Sequence, residues 1–317
     1  MKQKQGLLKS LPGSVRKILS VYITFFIFLV ATVAVDPQIF SGGNRLWSLS
    51  LQYAPLMLCA MSQSACMLVG GINLALGTAM SLMTAVCAVT MAPGTMGMMQ
   101  GIVCTVGAGA LVGLIMGTIV VYGRLPDIIV TLAFSYIWKG VALIILPSPG
   151  GYVNPEFSSF LANGGFIPPA MVIVALALLL WKLFKNTKAG LDIYAVGGNP
   201  RAAYESGLNV QRSKLLAYLV SGIFLGVGGL LLAGQISSGD PTIGASYQMN
   251  SVAAAVLGGV GQMKGAVMGA FIFTALVNLL FFSGMNAFWQ YVVQGLILIA
   301  AIGFKVIGYY RKGGDRA

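Results

Sequence analysis

The stretch KNTKAGLDIYAVGGNPRAAYESGLNVQRSKLLAYLVSGIFLGVGGLLLAGQ, residues 185–235, decides the fold class, because it joins a charged segment to an uninterrupted apolar one. Residues 215–235 carry no charged side chain, and about 20 apolar residues are enough helix to cross the hydrocarbon core of a bilayer. Residues 185–214 hold lysines, arginines and acids, which are too costly to place in lipid. The stretch therefore predicts a water-exposed insert that leads into a membrane helix.

The same apolar character extends over most of the 317-residue chain, whose mean hydropathy is +0.88. The pattern predicts an all-α, polytopic membrane bundle of about ten spans, between a cytoplasmic N-terminus, 1–17, and a cytoplasmic C-terminus, 307–317. The predicted spans of this domain, 18–306, are 18–35, 46–69, 72–91, 101–121, 128–146, 167–184, 215–235, 249–262, 265–283 and 287–306. Glycines at 258, 259, 261 and 265 permit a broken or re-entrant segment near 249–265.

The basic residues orient this bundle. Fifteen of the 19 lysines and arginines lie in 1–17, 122–127, 185–214 and 307–317 or at the turn near 264. Cytoplasmic loops of membrane proteins carry such an excess, so both termini are predicted to be cytoplasmic and the protein to lie in a bacterial plasma membrane. The asymmetry supports an even number of spans but does not separate eight from ten.

Several function classes are excluded by what the sequence lacks. The net charge of +12 is spread between apolar spans, which argues against nucleic-acid binding. The chain has no histidine and its four cysteines form no CxxC pair, so no metal site is expected. It also lacks a P-loop and a paired acid and base, so we expect neither catalytic residues nor bound cofactors.

Small residues recur at helical spacing in two spans, at Gly109, Gly113 and Gly117 and at Gly222 and Gly226. In lipid, such glycines let two helix backbones approach closely. We therefore expect these positions to serve helix packing.

A few polar and aromatic residues within or beside spans are candidates for a translocation path: Asn73, Phe134, Trp138, Lys139 and Asn250. The amides can hydrogen-bond solute hydroxyls and the rings can stack on a sugar, but hydrogen bonding between helices is an equally ordinary role. The charge of Lys139 is costly in lipid, so it either reaches the outer surface or lines an aqueous path.

The polar insert contains a short helix with explicit ends. Asn199 can cap it, and Pro200 suits the first helical position, where its missing N–H costs nothing. Gly207 suits the position just beyond the end, where a left-handed backbone is needed. A helix over 200–206 is too short to be stable alone in water, so we expect it to dock on a partner.

The insert resembles the cytoplasmic coupling segment of ABC importer permeases of the ribose, xylose and arabinose class, which carry a YAIGGN…AA…SGI pattern. Other stretches are similar to that family as well: GGINLALG (70–77), LPDIIVTLA (125–133), PTIGASYQMNSVAAAVLGG (241–259) and WQYVVQGLILIAA (289–301). Two departures concern the solute. Asn73 stands where the family usually has aspartate, and residues 260–270 look more like the branched-chain amino-acid permeases of the same superfamily.

The resemblance implies a permease subunit of an ATP-driven importer for a monosaccharide or a related small polar solute. Its partners would be a second permease copy or a paralogue, an extracytoplasmic solute-binding protein, and a cytoplasmic ATPase that holds the ATP and Mg²⁺. Glu156 and Asp240 are the predicted contacts with the binding protein. The predicted ATPase-coupling residues are Gly197, Gly198, Asn199, Arg201, Ala202, Tyr204, Glu205, Ser206 and Gly207. The alternative is an autonomous channel or an ion-coupled secondary carrier, and no carboxylate lies clearly within a span to carry a coupling ion.

Overall fold

The computed structural model describes residues 23–30, 32–33, 45–163, 167–286, 288–296 and 299. Within them the protein is helical, apart from turns and one isolated antiparallel bridge between Gly150 and Gly239. Eleven helices follow one another over 45–282: α1 Arg45–Leu68, α2 Leu76–Thr90, α3 Gly94–Gly123, α4 Asp127–Ile145, α5 Pro155–Asn163, α6 Pro169–Lys185, α7 Lys188–Gly198, α8 Pro200–Glu205, α9 Val210–Ile236, α10 Ala245–Gly258 and α11 Met263–Phe282.

Four of the described helices, α3, α4, α9 and α11, are long and apolar enough to cross a membrane. A fifth span is possible if α6 and α7, which meet at an angle of 84°, are counted as one. The predicted spans 18–35 and 287–306 and both predicted cytoplasmic ends lie wholly or partly outside the described residues. The structure therefore establishes a membrane helical bundle and does not confirm ten spans.

The core forms around α1 and α9. Helix α1 is buried along most of its length, and α9 packs most extensively against α3. The predicted glycines make the contact between α9 and α3 possible. A Cβ on Gly113 would collide with the carbonyl oxygen of Tyr218, and a Cβ on Gly109 would collide with the carbonyl oxygen of Gly222. The expectation that these glycines serve close helix packing is confirmed.

Helices α2 and α10 differ from the long spans. With 15 and 14 residues, each rises about 22 Å or less, short of the roughly 30 Å hydrocarbon core. They start side by side, because Gly77 at the beginning of α2 lies against Gly244, which directly precedes α10. A non-helical segment precedes each of these helices: residues 69–75 lead into α2 and residues 237–244 lead into α10. The predicted spans 72–91 and 249–262 are thus partial helices.

Candidate functional site

The surface helix α8 matches the sequence prediction closely. The Asn199 side-chain oxygen accepts hydrogen bonds from the backbone N–H groups of Arg201 and Ala202, both at 3.1 Å. Pro200 occupies the first helical position, and Gly207 has φ +81° just beyond the end. Asn209 then caps α9 by accepting from the N–H of Arg212 at 2.9 Å. The two caps fix the direction in which the chain enters and leaves α8.

Helix α7, which was not predicted from the sequence, holds α8 on the bundle. Ile193 and Val196 are fully buried, and Gly197 lies so close to the carbonyl oxygen of Leu68 at the end of α1 that a side chain would collide with it. The ring of Trp181 in α6 lies 6.2 Å from that of Tyr194, centroid to centroid. Because α7 is wedged between α1 and α6, the base of α8 is stiff.

Helix α8 itself projects away from the bundle. Ala203 is its only buried residue, whereas Tyr204 is 73% exposed. Arg201 and Glu205 face each other one turn apart, with the guanidinium Nε 3.2 Å from the carboxylate Oε1. Both side chains are open to water, so this pair adds little stability. The predicted coupling residues therefore form one exposed, rigidly based surface.

At the end of the long helices opposite to α8, the loop between α4 and α5 is hydrogen-bonded to the loop between α9 and α10. The backbone N–H of Gly150 donates to the carbonyl of Gly239 at 2.9 Å, and that of Tyr152 donates to Ala88 at the end of α2 at 2.9 Å. Glu156 lies in the first turn of the short helix α5, directly after the first of these loops, and is exposed. The Asp240 Oδ1 atom accepts hydrogen bonds from the backbone N–H groups of residues 242 and 243, at 2.7 and 3.2 Å. Asp240 thus lies in this linked pair of loops and Glu156 lies directly beside it.

Asn73 lies in the non-helical segment before α2 and is fully buried. Its Oδ1 accepts a hydrogen bond from the N–H of Ala75 at 2.9 Å. The amide of Gln63, oriented to satisfy both of its atoms, donates to the Asn73 carbonyl at 2.9 Å and accepts from the Asn73 N–H at 3.3 Å. The described contacts of Asn73 therefore hold the backbone turn in place.

The other predicted path residues lie on different faces. Phe134 and Trp138 stack in the core at 5.1 Å between ring centroids, beside residues of α2 and α9. Lys139 points away from these rings on an exposed face of α4. Asn250 is half-buried on α10. The structure brings the two aromatic rings together and separates them from Lys139, and a path through these residues stays a prediction.

The contact between the starts of α2 and α10 at Gly77 and Gly244, called the crossing of α2 and α10 below, was also not predicted, although the sequence contains a signal for it. Asn73 and Asp240 each precede a glycine by four positions, in NLALG (73–77) and DPTIG (240–244). Each side chain accepts a hydrogen bond from the N–H two residues ahead. Gly77 and Gly244, the glycines of these two stretches, are in contact with each other. The same short element therefore begins both partial helices.

These helices form a multi-pass membrane bundle with a capped surface helix at one end and linked loops at the other. A family described as "Branched-chain amino acid transport system / permease component" matches residues 46–302. The chain belongs to this permease family.

Among curated proteins, the chain is similar to the galactose/methyl galactoside import permease protein MglC of Escherichia coli, with 31% identity covering 92% of this chain and 95% of that protein. It is 32% identical to the ribose import permease protein RbsC of Bacillus subtilis, over 89% of this chain and 90% of that protein. It is 29% identical to the D-allose transport system permease protein AlsC of E. coli, with the same coverage. No solved structure matches the chain significantly.

Proposed function

We propose that this chain is the membrane-spanning permease subunit of an ATP-driven importer, and that its solute is a monosaccharide or a related small polar molecule. The relatives named for galactose, ribose and allose support a sugar over an amino acid. ATP and Mg²⁺ bind to a separate ATPase, and a binding protein delivers the solute from outside. This chain binds no cofactor and catalyses no reaction itself.

The observation that carries the proposal is the stiff, exposed helix α8. A short helix capped at its start and held by α7 can transmit a push into α1, α6 and α9 without bending. Its exposed residues, with Tyr204 at the centre, form the contact with the ATPase. The proposed coupling surface comprises Gly197, Gly198, Asn199, Arg201, Ala202, Tyr204, Glu205, Ser206 and Gly207.

We further propose ten spans, both termini in the cytoplasm of a bacterium, and a dimer with a second copy or a paralogue. The linked loops that carry Glu156 and Asp240 then face outward and receive the binding protein. The crossing of α2 and α10 lies between these two surfaces. We place the solute path beside it, with Asn73, Asn250, Phe134, Trp138 and Lys139 as the candidates to line it.

The test is uptake by proteoliposomes that contain the complete complex. We expect Glu205→Lys to lower ATP-dependent uptake at least about tenfold, because removal of a charged contact at a desolvated interface costs roughly 2 kcal/mol or more. Membrane insertion and the thermal unfolding temperature of this variant should be unchanged, because Glu205 is exposed and its ion pair with Arg201 adds little to the stability of the protein. Uptake and ATPase rate are measured together.

The matched control is Glu156→Lys, a charge reversal on an exposed helix at the opposite end. It should weaken binding-protein affinity and leave basal ATPase activity intact. Normal coupled uptake by the Glu205→Lys complex would contradict the coupling assignment. Uptake of solute by the chain without any ATPase subunit would contradict the proposed function as a whole.

A further inference from the structure

The non-helical segment 69–75, which joins α1 to α2, is held on one side by the first turns of α4. The Thr131 hydroxyl accepts a hydrogen bond from the backbone N–H of Leu74 at 3.1 Å and donates one to the carbonyl of Asp127 at 2.8 Å. Asp127 lies one turn before Thr131, so the two residues share a face of α4. Because Thr131 is fully buried, this face of α4 fixes the segment from which α2 begins.

The carboxylate of Asp127 faces the backbone of the same segment. A Cβ placed on Gly71 would lie 2.7 Å from the Asp127 Oδ2 atom and 3.1 Å from the hydroxyl of Tyr218 in α9. Gly71 is buried and its φ is not positive, so it is the missing side chain that makes room for the carboxylate. Asp127 therefore lies where α4, α9 and the segment 69–75 meet.

The ammonium group of Lys214 in α9 attracts this carboxylate. Lys214 lies one turn before Tyr218, on the same face of α9. Lys214 and Asp127 line a cavity of about 470 Å³ between the end of α3 and the starts of α4 and α9. Both residues are half-buried, so their attraction is screened less than that of two surface charges. A movement of α9 relative to α4 changes the distance between these charges, and with it the attraction.

The start of α9 is also where the chain returns from the coupling segment to the bundle. Helix α8 ends at Glu205, and Asn209 caps α9 four residues later. Lys214 is the fifth residue of α9, about 6 Å along the helix axis from its first residue. A displacement of α8 therefore reaches Lys214 along the chain within about one helical turn, whereas it reaches the segment 69–75 only through contacts between helices.

We propose that Asp127 is a positioning residue for transport, which makes the segment 69–75 follow the start of α9 when the ATPase moves α8. The carboxylate does so through Lys214 on one side and the backbone at Gly71 on the other. This inference rests on the proposed contact between α8 and an ATPase. It extends that function inward, because the segment 69–75 contains Asn73 and leads to the crossing of α2 and α10, beside which we place the solute path.

An acid in the first turn of a helix ordinarily stabilises that helix start. In that role Asp127 would act independently of Lys214, and its loss would affect folding before it affected coupling. The positioning role instead predicts that the two charges act as a pair. A double-mutant cycle separates the two roles.

The cycle is measured on the complete complex in proteoliposomes, with solute uptake and ATP hydrolysis recorded together. Asp127→Asn and Lys214→Gln should each lower the solute taken up per ATP hydrolysed about fivefold, within the usual range for residues that couple distant sites. The double variant should also lose about fivefold, because its second change removes a charge that has already lost its partner.

Two further variants test the geometry. Gly71→Ala keeps both charges but displaces the end of the Asp127 side chain, so it should also lower uptake per ATP hydrolysed. Arg124→Gln is the matched control, because Arg124 is a cation that lines the same cavity but does not belong to α9. This control should leave uptake per ATP hydrolysed unchanged.

Amide hydrogen exchange tests the link without the ATPase. In the purified full-length chain, Lys214→Gln should speed exchange over 69–75 about fivefold, although Lys214 is distant from this segment in the sequence. Exchange over 69–75 should be unchanged in Arg124→Gln. Unchanged exchange in Lys214→Gln would overturn the inference, because the charge in α9 would then not act on the segment.

Three results of the transport measurement would also overturn the inference. A loss of about 25-fold in the double variant, the product of two fivefold losses, would show that the charges act independently. Unchanged uptake per ATP hydrolysed in Asp127→Asn would remove this residue from coupling. An equal loss in Arg124→Gln would assign the effect to the net charge of the cavity. Failure of the proposed function is a different result, namely solute uptake without any ATPase subunit, and the exchange measurement then still decides whether Lys214 acts on the segment 69–75.

Discussion

At the scale of single residues, Gly77 and Gly244 hold the starts of α2 and α10 in close contact. A Cβ on Gly77 would meet Gly244 and the backbone of residue 248, while one on Gly244 would collide with the carbonyl of Gly77. Neither contact involves only a flexible side-chain end, so relief would require α2 and α10 to separate. The constraint arises from packing, because neither glycine has a positive φ.

We expect Gly77→Ala and Gly244→Ala each to destabilise the protein by about 1–3 kcal/mol, the usual cost of overpacking a close contact. The measurement is the thermal unfolding temperature in detergent. Gly107→Ala is the matched control, since a Cβ there meets nothing within 4 Å. If Gly107→Ala lowers the unfolding temperature as much as the two variants do, the contact between α2 and α10 is not unusually close.

At the scale of elements, α8 depends on its cap. Six residues cannot sustain a helix without tertiary support, and the Asn199 side chain satisfies two of the exposed N–H groups at its start. Ala203 provides the one buried contact. A loss at either position should loosen the surface that we propose for the ATPase.

Asn199→Ala should cost about 1 kcal/mol of local stability and speed amide hydrogen exchange over 200–206 about fivefold. Coupled uptake should fall with it, whereas exchange in α9 should be unchanged because α9 has its own cap, Asn209. Asn199→Asp, which keeps an acceptor, should restore both measurements. Slow exchange in Asn199→Ala would mean that docking, and not the cap, holds the helix.

At the scale of the whole molecule, the sequence predicted the features that depend on local chemistry. Apolar runs identified the bundle, and the Asn199, Pro200 and Gly207 signals located α8 within a residue. It could not predict α7, because the burial of Ile193 and Val196 depends on contacts with distant helices. Nor could it place Arg124 beside Lys214, since only the packing of α3 against α9 joins them.

The proposed orientation has a direct test. Green fluorescent protein fused after residue 317 should fluoresce, and alkaline phosphatase fused there should be inactive, because both report a cytoplasmic end. Alkaline phosphatase inserted beside Glu156 should be active. An inactive insertion at Glu156 together with a fluorescent C-terminus would place the linked loops inside and reverse the assignment of both surfaces.

The contact between the starts of α2 and α10 also has a consequence for the membrane potential. A helix start carries about half a positive charge, and if the proposed solute path passes the two starts beside Gly77 and Gly244, we expect them to disfavour the passage of protons and metal cations. Asp240 places a negative charge in the segment before α10, whereas Asn73, in the segment before α2, is neutral. A neutral solute on the proposed path is not opposed, so we expect the neutral side chain of Asn73 to favour uptake without an electrical leak.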